Sequence, residues 1–173
     1  MATLILLNGP PAAGKSTLAR RWAADRPLAL NLDLDQLWPM LGHWQDDPEA
    51  TGLAVRRLAL AMAGAQLTAG RDVIVPQFLG RPEFIDQLAE LAGTHRARFR
   101  HVMLEIDRAE MHARFDDRQN HLGAELIGLL GGRDELDRMY DRLQALLATR
   151  PEVVRLDPAD PYPALLAVST RDD

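Results

Sequence analysis

The chain has 173 residues, contains no cysteine and carries a formal net charge of −5 at pH 7. This length fits one domain with a sizeable core. The lack of cysteine excludes disulfides and thiolate metal sites, and the acidic balance disfavours nucleic acid as the main partner. No signal-peptide pattern is present and no apolar run reaches membrane-spanning length, so we expect no membrane partner and a cytoplasmic location.

The first predicted element is a strand over the apolar residues 4–7, and it leads into residues 9–16, which read GPPAAGKS. This spacing is the phosphate-binding pattern G-x-x-x-x-G-K-[ST]. Gly9 and Gly14 allow a tight bend that points successive backbone N–H groups at a phosphate. A helix beginning near Lys15 adds the positive end of its dipole. Strand, loop and helix follow in the order that the motif needs, so the sequence predicts a nucleotide site.

Individual residues of this loop have predicted roles. The Lys15 ammonium is expected to bind the β- and γ-phosphates, and the Ser16 hydroxyl is expected to ligate Mg²⁺. Pro10 and Pro11 stiffen the start of the loop because each fixes φ. The predicted nucleotide-binding residues of the loop are Gly9, Pro10, Pro11, Ala12, Ala13, Gly14, Lys15, Ser16 and Thr17.

Strand-like and helix-like segments alternate along the rest of the chain. A second strand is predicted over residues 28–34, and a long helix is predicted from Pro48 to about residue 69, with Asp47 as its N-cap. Later strands are predicted over 72–75, 100–106 and 153–156, with helices between them and a last short helix over 161–168. This alternation predicts an α/β fold in which helices cover both faces of a parallel sheet.

Two carboxylates end the second predicted strand. Ligands of such sheets bind at the carboxyl ends of the strands, and Asp33 and Asp35 are two residues apart, so both are predicted to face one site. We interpret Asp35 as the group that orients or deprotonates an acceptor hydroxyl, and Asp33 as part of the Mg²⁺ shell. The alternative for Asp35 is that it caps a short helix.

The third predicted strand ends in Pro76, where many phosphate-loop proteins carry an acidic magnesium residue. Metal binding would therefore depend more on Ser16 and Asp33. Gln77, just after the strand, can donate to and accept from a substrate. A simple polar loop residue is the equal alternative.

Other candidate substrate residues are Arg81, which could bind an anion or be a solvated charge, and His43, in an irregular segment. Trp38 could line an apolar substrate pocket, although such residues are more often core. Arg114 and Arg118 are four residues apart and share a helix face, and their guanidinium groups suit γ-phosphate stabilisation. The alternative for the two arginines is that they lie on an exposed helix and pair with its acidic residues.

With these motifs, the chain resembles the small P-loop kinases, the AAA-type group of shikimate and gluconate kinases, chloramphenicol phosphotransferases and zeta-toxin-like kinases. The resemblance implies a P-loop NTPase fold whose five-stranded parallel sheet has the order 2-3-1-4-5, in a single domain over residues 1–173. It implies ATP and Mg²⁺ as cofactors, a substrate-binding region at about 36–50 and a lid at about 114–132 that carries Arg118 to the nucleotide.

The leading hypothesis is an ATP-dependent kinase that phosphorylates a hydroxyl of a small molecule, such as a metabolite, sugar, nucleoside or antibiotic. Its predicted catalytic residues are Lys15, Asp35, Arg114 and Arg118. One alternative is a nucleotide-binding regulator or weak ATPase without a small-molecule acceptor, and another is a kinase of nucleotide-sugars or nucleic-acid ends. The expected partners are the nucleotide and the acceptor, without nucleic acid, and the expected state is a monomer or homodimer.

Overall fold

A computed structural model describes residues 1–121, 132–157 and 159–170, with the backbone alone for residues 118–121 and 170. Five strands form one sheet in which all neighbouring strands are parallel. The strands are β1 Thr3–Asn8, β2 Leu30–Asn31, β3 Val73–Pro76, β4 Arg98–Leu104 and β5 Val154–Leu156. Their order in the sheet is β2-β3-β1-β4-β5, which confirms the order implied by the resemblance.

Helices flank the sheet, and two short 3-10 turns follow β2. The helices are α1 Lys15–Ala24, α2 Pro48–Thr68, α3 Pro82–Thr94, α4 Arg108–His121, α5 Gly132–Ala148 and α6 Pro161–Thr170. The 3-10 turns are Leu34–Gln36 and Trp38–Met40. Among the residues that the structure describes, no helix is both long and apolar enough to cross a membrane.

The central strand β1 shows why the sheet is covered on both faces. Leu4 and Leu6 point into one core with residues of α2, α3 and the second half of α5. Ile5 and Leu7 point into the other core, with residues of α1, α4 and α6. All four side chains are fully buried, and a strand buried on both faces reads as a continuous apolar run.

The boundaries of α2 agree with the sequence-based prediction. The Asp47 carboxylate accepts a hydrogen bond from the Ala50 N–H at 2.9 Å, and Pro48 occupies the first helical turn. Such a cap satisfies one of the backbone donors that a helix leaves unpaired at its start. Gly70 follows the helix with a left-handed φ of 70°, a conformation that glycine adopts without strain.

The prediction for β2 was wrong in length, because only residues Leu30 and Asn31 pair with β3. Leu28 has a φ of 60°, and the Ala29 N–H donates to the Arg26 carbonyl, so a turn occupies the start of the predicted strand. At the other end, Asp33 caps the first 3-10 turn through its side chain. The local backbone geometry at both ends of β2 therefore prevents it from pairing with β3 over more residues.

Candidate phosphate-binding site

The loop of residues 9–14 connects β1 to α1 at the carboxyl edge of the sheet. A Cβ atom on Gly9 would lie 2.6 Å from the backbone oxygen of Leu104, at the end of β4. The loop can approach β4 this closely only because residue 9 has no side chain. Ala12 and Gly14 have left-handed φ values of 61° and 94°, and the Ala13 N–H donates to the Pro10 carbonyl at 3.3 Å.

Helix α1 begins at the end of this loop without a side-chain cap on its first turn. The Leu18 N–H donates to the Gly14 carbonyl at 3.0 Å as the first hydrogen bond of the helix. The N–H groups that precede it have no partner within the helix, and the first turn contains no acidic residue. This arrangement suits an anion, as the spacing of the loop predicted.

The Lys15 side chain folds back over the loop. Its Nζ donates to the backbone oxygen of Gly9 at 2.9 Å and to that of Pro10 at 2.7 Å. The side chain is half-buried, so the ammonium group is held against the loop rather than in bulk solvent.

A second cation reaches the loop from helix α4. The Arg114 Nη1 donates to the Ala13 carbonyl at 3.3 Å, while its Nη2 donates to the Glu110 carboxylate one helical turn earlier. Arg114 therefore has the acidic partner on α4 that one alternative predicted, and it also contacts the phosphate-binding loop. Arg118 lies in α4, but its side chain and most of the predicted lid lie outside the described residues.

Ionic contacts join α4 to α5. The Asp137 carboxylate on α5 accepts from Arg108 at 3.0 Å and pairs with His112 at 2.9 Å, both on α4. His112 and then Arg108 hold the pKa of Asp137 below its usual value. A further pair joins Arg133 to Asp116. Several contacts in a network can fix geometry although single exposed pairs contribute little stability, and here they fix the helix that carries Arg114.

The two predicted carboxylates at β2 do not lie on one strand face. The strand ends at Asn31, and Asp33 and Asp35 belong to the start of the first 3-10 turn. The Asp33 Oδ1 accepts from the Asp35 N–H at 3.2 Å, so the capping residue is Asp33 and not Asp35. The strand-face argument therefore fails, because residues two apart share a face only in an extended strand.

The end of β3 lies directly beside the phosphate-binding loop. Pro76 is buried in β3 and pairs with Leu7, which confirms that no carboxylate occupies this strand end. The Gln77 N–H donates to the Leu7 carbonyl at 3.1 Å. Its Oε1 is buried without a hydrogen-bond partner among residues 1–121, 132–157 and 159–170. A buried acceptor without a partner is unfavourable, and this singles out Gln77 among the residues at the end of β3.

The predicted substrate-binding segment is built around two tryptophans. Trp38 and Trp44 pack edge to face with ring centroids 6.0 Å apart, and a Cβ atom on Gly52 would lie 3.7 Å from the Trp38 ring. Trp38 is half-buried, which fits both a residue that lines a substrate pocket and a residue at the edge of the core. His43 is instead 90% exposed and pairs with Asp46 at 3.2 Å, so the structure places it in solvent.

A cavity of about 560 Å³ lies between the start of α3 and the second half of α5. Its charged lining residues are Arg81, Arg142, Arg150 and Glu152. Arg150 also donates to Asp86 at 2.5 Å, whereas Arg81 is exposed at the residue that precedes α3. The structure therefore brings Arg81 together with two other arginines.

Sequence reasoning missed Asn8, the last residue of β1. Asn8 is fully buried, and its side chain bonds to Gly9, to both backbone groups of Leu79 and to His101. The available signal was one amide residue at the end of an otherwise apolar strand, directly before the glycine of the motif. A buried amide needs partners, and here most of them come from distant segments.

The resemblance implies that the site binds Mg²⁺. No cluster of three or more histidine, cysteine, aspartate or glutamate side chains suited to a metal occurs in the described part of the chain. Mg²⁺ in nucleotide sites is usually held by one or two protein oxygens together with phosphate oxygens and waters. The Ser16 hydroxyl and the Asp33 carboxylate are compatible with that small donor set.

Residues 4–147 match the family described as an AAA domain. The chain belongs to this AAA domain family. The match spans the phosphate-binding loop, α4 and most of α5, so it includes the elements described above. No curated protein matches this AAA domain chain.

Solved structures similar to this AAA domain protein have the fold of the P-loop kinases. A gluconokinase from Sinorhizobium meliloti 1021 is 18% identical, with a TM-score of 0.60 over 97% of this chain and 89% of its own. The Mycobacterium tuberculosis APS kinase CysC in complex with AMPPNP and APS is 18% identical, with a TM-score of 0.53 over 71% of this chain and 77% of its own.

A chain from the Pnkp1/Rnl/Hen1 RNA repair complex is also similar, at 17% identity and a TM-score of 0.73. The match covers 86% of this chain but only 46% of the RNA-repair chain. At these identities the likeness shows the fold, which is the P-loop NTPase fold that the sequence predicted.

Proposed function

We propose that the protein is an ATP-dependent phosphotransferase that transfers the γ-phosphate to a hydroxyl of a small molecule. The observation that carries this proposal is the convergence of two cations from different elements on one phosphate-binding loop. Lys15 of α1 contacts the carbonyls of Gly9 and Pro10, and Arg114 of α4 contacts that of Ala13. A second cation beside the phosphates suits stabilisation of the charge on a transferred phosphoryl group.

Phosphoryl transfer develops charge on the oxygens of the transferred group, and catalysis consists mainly of positioning and of stabilising that charge. In our proposal the N–H groups at the start of α1 bind the phosphates, Lys15 lies beside the β- and γ-phosphates, and Arg114 approaches from α4. Arg118 would add a further cation from the same helix. The protein fixes these charges in advance, so the reaction does not have to reorganise them.

Mg²⁺ would be held by Ser16 and Asp33 together with phosphate oxygens, and it would supply positive charge beside the transferred group. Asp35 would orient the acceptor hydroxyl and accept its proton. This role for Asp35 now depends on its position at the exposed 3-10 turn, because the strand-face argument no longer supports it. Trp38, Gln77 and Arg81 are the proposed acceptor contacts, whereas solvent exposure weakens the proposal for His43.

A second candidate is a kinase that acts on the end of a nucleic acid. It is favoured by the arginine-lined cavity next to Arg81 and by the fold likeness to a chain of an RNA repair complex. The net charge of −5 opposes it, because nucleic-acid binding relies on an excess of basic residues. The small-molecule acceptor therefore remains our first proposal.

The test is a mass-spectrometric screen for one added phosphate. The protein, ATP and Mg²⁺ are incubated with libraries of metabolites, sugars, nucleosides and antibiotics, and separately with oligonucleotides that carry a 5′-hydroxyl. Lys15→Ala should abolish the product. Arg20→Ala, an exposed charge on the same helix, should leave it unchanged.

Each outcome assigns the protein to one class. Phosphorylation of a small molecule by the wild type and not by Lys15→Ala supports the first proposal. Phosphorylation of the oligonucleotides alone supports the second. Slow ATP hydrolysis that no acceptor accelerates would contradict both and indicate a nucleotide-binding regulator or weak ATPase, the alternative that the missing carboxylate at Pro76 favours.

A further inference from the structure

The side chain of Asn8 connects two loops that are distant in sequence. Its Oδ1 accepts from the Gly9 N–H at 2.8 Å and from the Leu79 N–H at 3.0 Å. Its Nδ2 donates to the Leu79 carbonyl at 2.9 Å. The amide thus bonds to both backbone groups of Leu79, as a neighbouring strand would, and continues the pairing between β1 and β3 beyond the end of the sheet.

The orientation of the Asn8 amide follows from these partners. The N–H groups of Gly9 and Leu79 can only donate, so the atom that faces them must be the oxygen. The nitrogen then faces the Leu79 carbonyl and the His101 Nε2, which lies 3.3 Å away. Both donors and both acceptor positions of the amide are used, provided that the His101 Nε2 is unprotonated.

The state of His101 is consistent with this requirement. Burial, and then the nearby positive charge of Arg150, lower the pKa of His101 to about 4. The ring is therefore neutral at pH 7. Its Nε2 accepts from Asn8 in the tautomer that carries the proton on Nδ1, an atom that is buried without a hydrogen-bond partner among the described residues. His101 itself is buried in the middle of β4, so a third strand supports the same amide.

We propose that Asn8 is a positioning residue that couples the phosphate-binding loop to the β3–α3 loop, so that phosphate binding at one loop orders the other. The inference rests on the proposed function, because it assigns the phosphate side of the reaction to the loop after Gly9 and the acceptor side to residues around Leu79.

The bonds between Asn8 and Leu79 also affect the residues that flank Leu79. Gln77 precedes Leu79 by two residues and Arg81 follows it by two, and both are proposed acceptor contacts. Gly80 lies so close to α5 that a Cβ atom would be 3.2 Å from the Cβ of Arg142. The backbone around Leu79 is thus confined on one side by Asn8 and on the other by α5. A shift of the phosphate-binding loop would therefore be transmitted to this backbone through Asn8 and not absorbed by slack around it.

Hydrogen exchange measured by NMR on ¹⁵N-labelled protein tests the coupling without an acceptor. AMP-PNP and Mg²⁺ are added, and exchange is followed at the amides of residues 77–81. In the wild type we expect nucleotide to slow exchange of the Leu79 amide on the order of tenfold, because ordering the loop raises the cost of local opening. In Asn8→Ala the nucleotide should still bind, and the Leu79 amide should no longer respond.

A second variant covers the case in which Asn8→Ala does not fold. Asn8→Ser keeps a hydroxyl within reach of the neighbouring Gly9 N–H, but its side chain is one atom too short to bond to Leu79. We expect a folded protein in which the nucleotide still binds and the Leu79 response is lost, because no side chain then joins the two loops.

Asp72→Ala is the matched control. The Asp72 carboxylate accepts from the Thr3 N–H at 2.8 Å, so it also bridges β1 and β3, but at the opposite edge of the sheet. This variant should keep the response of Leu79.

The outcomes separate this inference from the proposed function. Nucleotide binding with no change at Leu79 in the wild type, or with the same change in wild type and Asn8→Ser, would overturn the coupling and leave the proposed function intact. Absence of nucleotide binding in the wild type would overturn both. A response that is present in the wild type and in Asp72→Ala, and lost in the folded Asn8 variant, would support the coupling.

Discussion

Acidification should destabilise the protein through His101. Burial, followed by the charge of Arg150, lowers the pKa of this ring from an ordinary 6.5 to about 4. The ring stays neutral in the folded protein while the unfolded chain binds a proton. The contribution of the neutral ring to the free energy of unfolding is therefore fully present above about pH 6.5, and it is lost as the pH falls towards 4.

The size of the effect follows from the two pKa values. One pKa unit corresponds to about 1.4 kcal/mol, so the full loss of unfolding free energy is about 3 kcal/mol, of which about 2 kcal/mol has gone by pH 5. This is a large share of the stability of a typical domain. Other groups also titrate in this range, so the contribution must be isolated by substitution.

Urea unfolding of the wild type and of His101→Gln at pH 7, 6 and 5 isolates the contribution of His101 to the pH dependence of stability. Glutamine keeps an acceptor for Asn8 and does not titrate, so the variant should lose less stability between pH 7 and pH 5, by about 2 kcal/mol. His43→Gln, at a residue that is 90% exposed, should follow the wild type. Parallel pH profiles for wild type and His101→Gln would refute the reasoning.

Three further predictions concern the site. Asp35→Asn should bind nucleotide normally and lower the transfer rate by about 10²–10⁴; an unchanged rate would exclude Asp35 as the base. Arg114→Ala should reduce transfer by about 10³ with little change in nucleotide affinity measured by calorimetry, and an equal loss in both would indicate a binding role only. Gly9→Ala should lower the free energy of unfolding by about 1–3 kcal/mol because its Cβ meets a backbone oxygen. Gly93→Ala, with open space around it, should be neutral or stabilising by up to about 1 kcal/mol; equal losses in both glycine variants would contradict the close-approach argument.

The features that the sequence predicted well are those fixed by neighbouring residues. The phosphate-binding loop lies between an apolar strand and a helix, and all of its determinants fall within residues 4–18. The start of α2 depends on Asp47 and Pro48, which are adjacent. The strand order came from the resemblance and not from the pattern, because a run of alternating strands and helices fits several parallel sheets.

The features that sequence reasoning missed depend on distant contacts or on single backbone angles. The partner of Asn8 at Leu79 is 71 residues away in the chain, so no local pattern indicates it. The second strand was predicted too long because the left-handed backbone of Leu28 has no signature in an apolar residue. Arg114 was predicted, but its contact with the loop joins residues that are 101 positions apart, so the resemblance and not a local pattern pointed to it.

The two outer strands of the sheet have a consequence for behaviour at high concentration. β2 has two residues and β5 has three, so each edge offers few unpaired backbone groups to the strand of another molecule. Long, flat edges are where sheets recruit further chains and aggregate, and very short edge strands are one way in which proteins avoid this. Lengthening the pairing at β2, by replacing the turn around Leu28 with residues that favour extended backbone, should therefore increase aggregation before it increases stability.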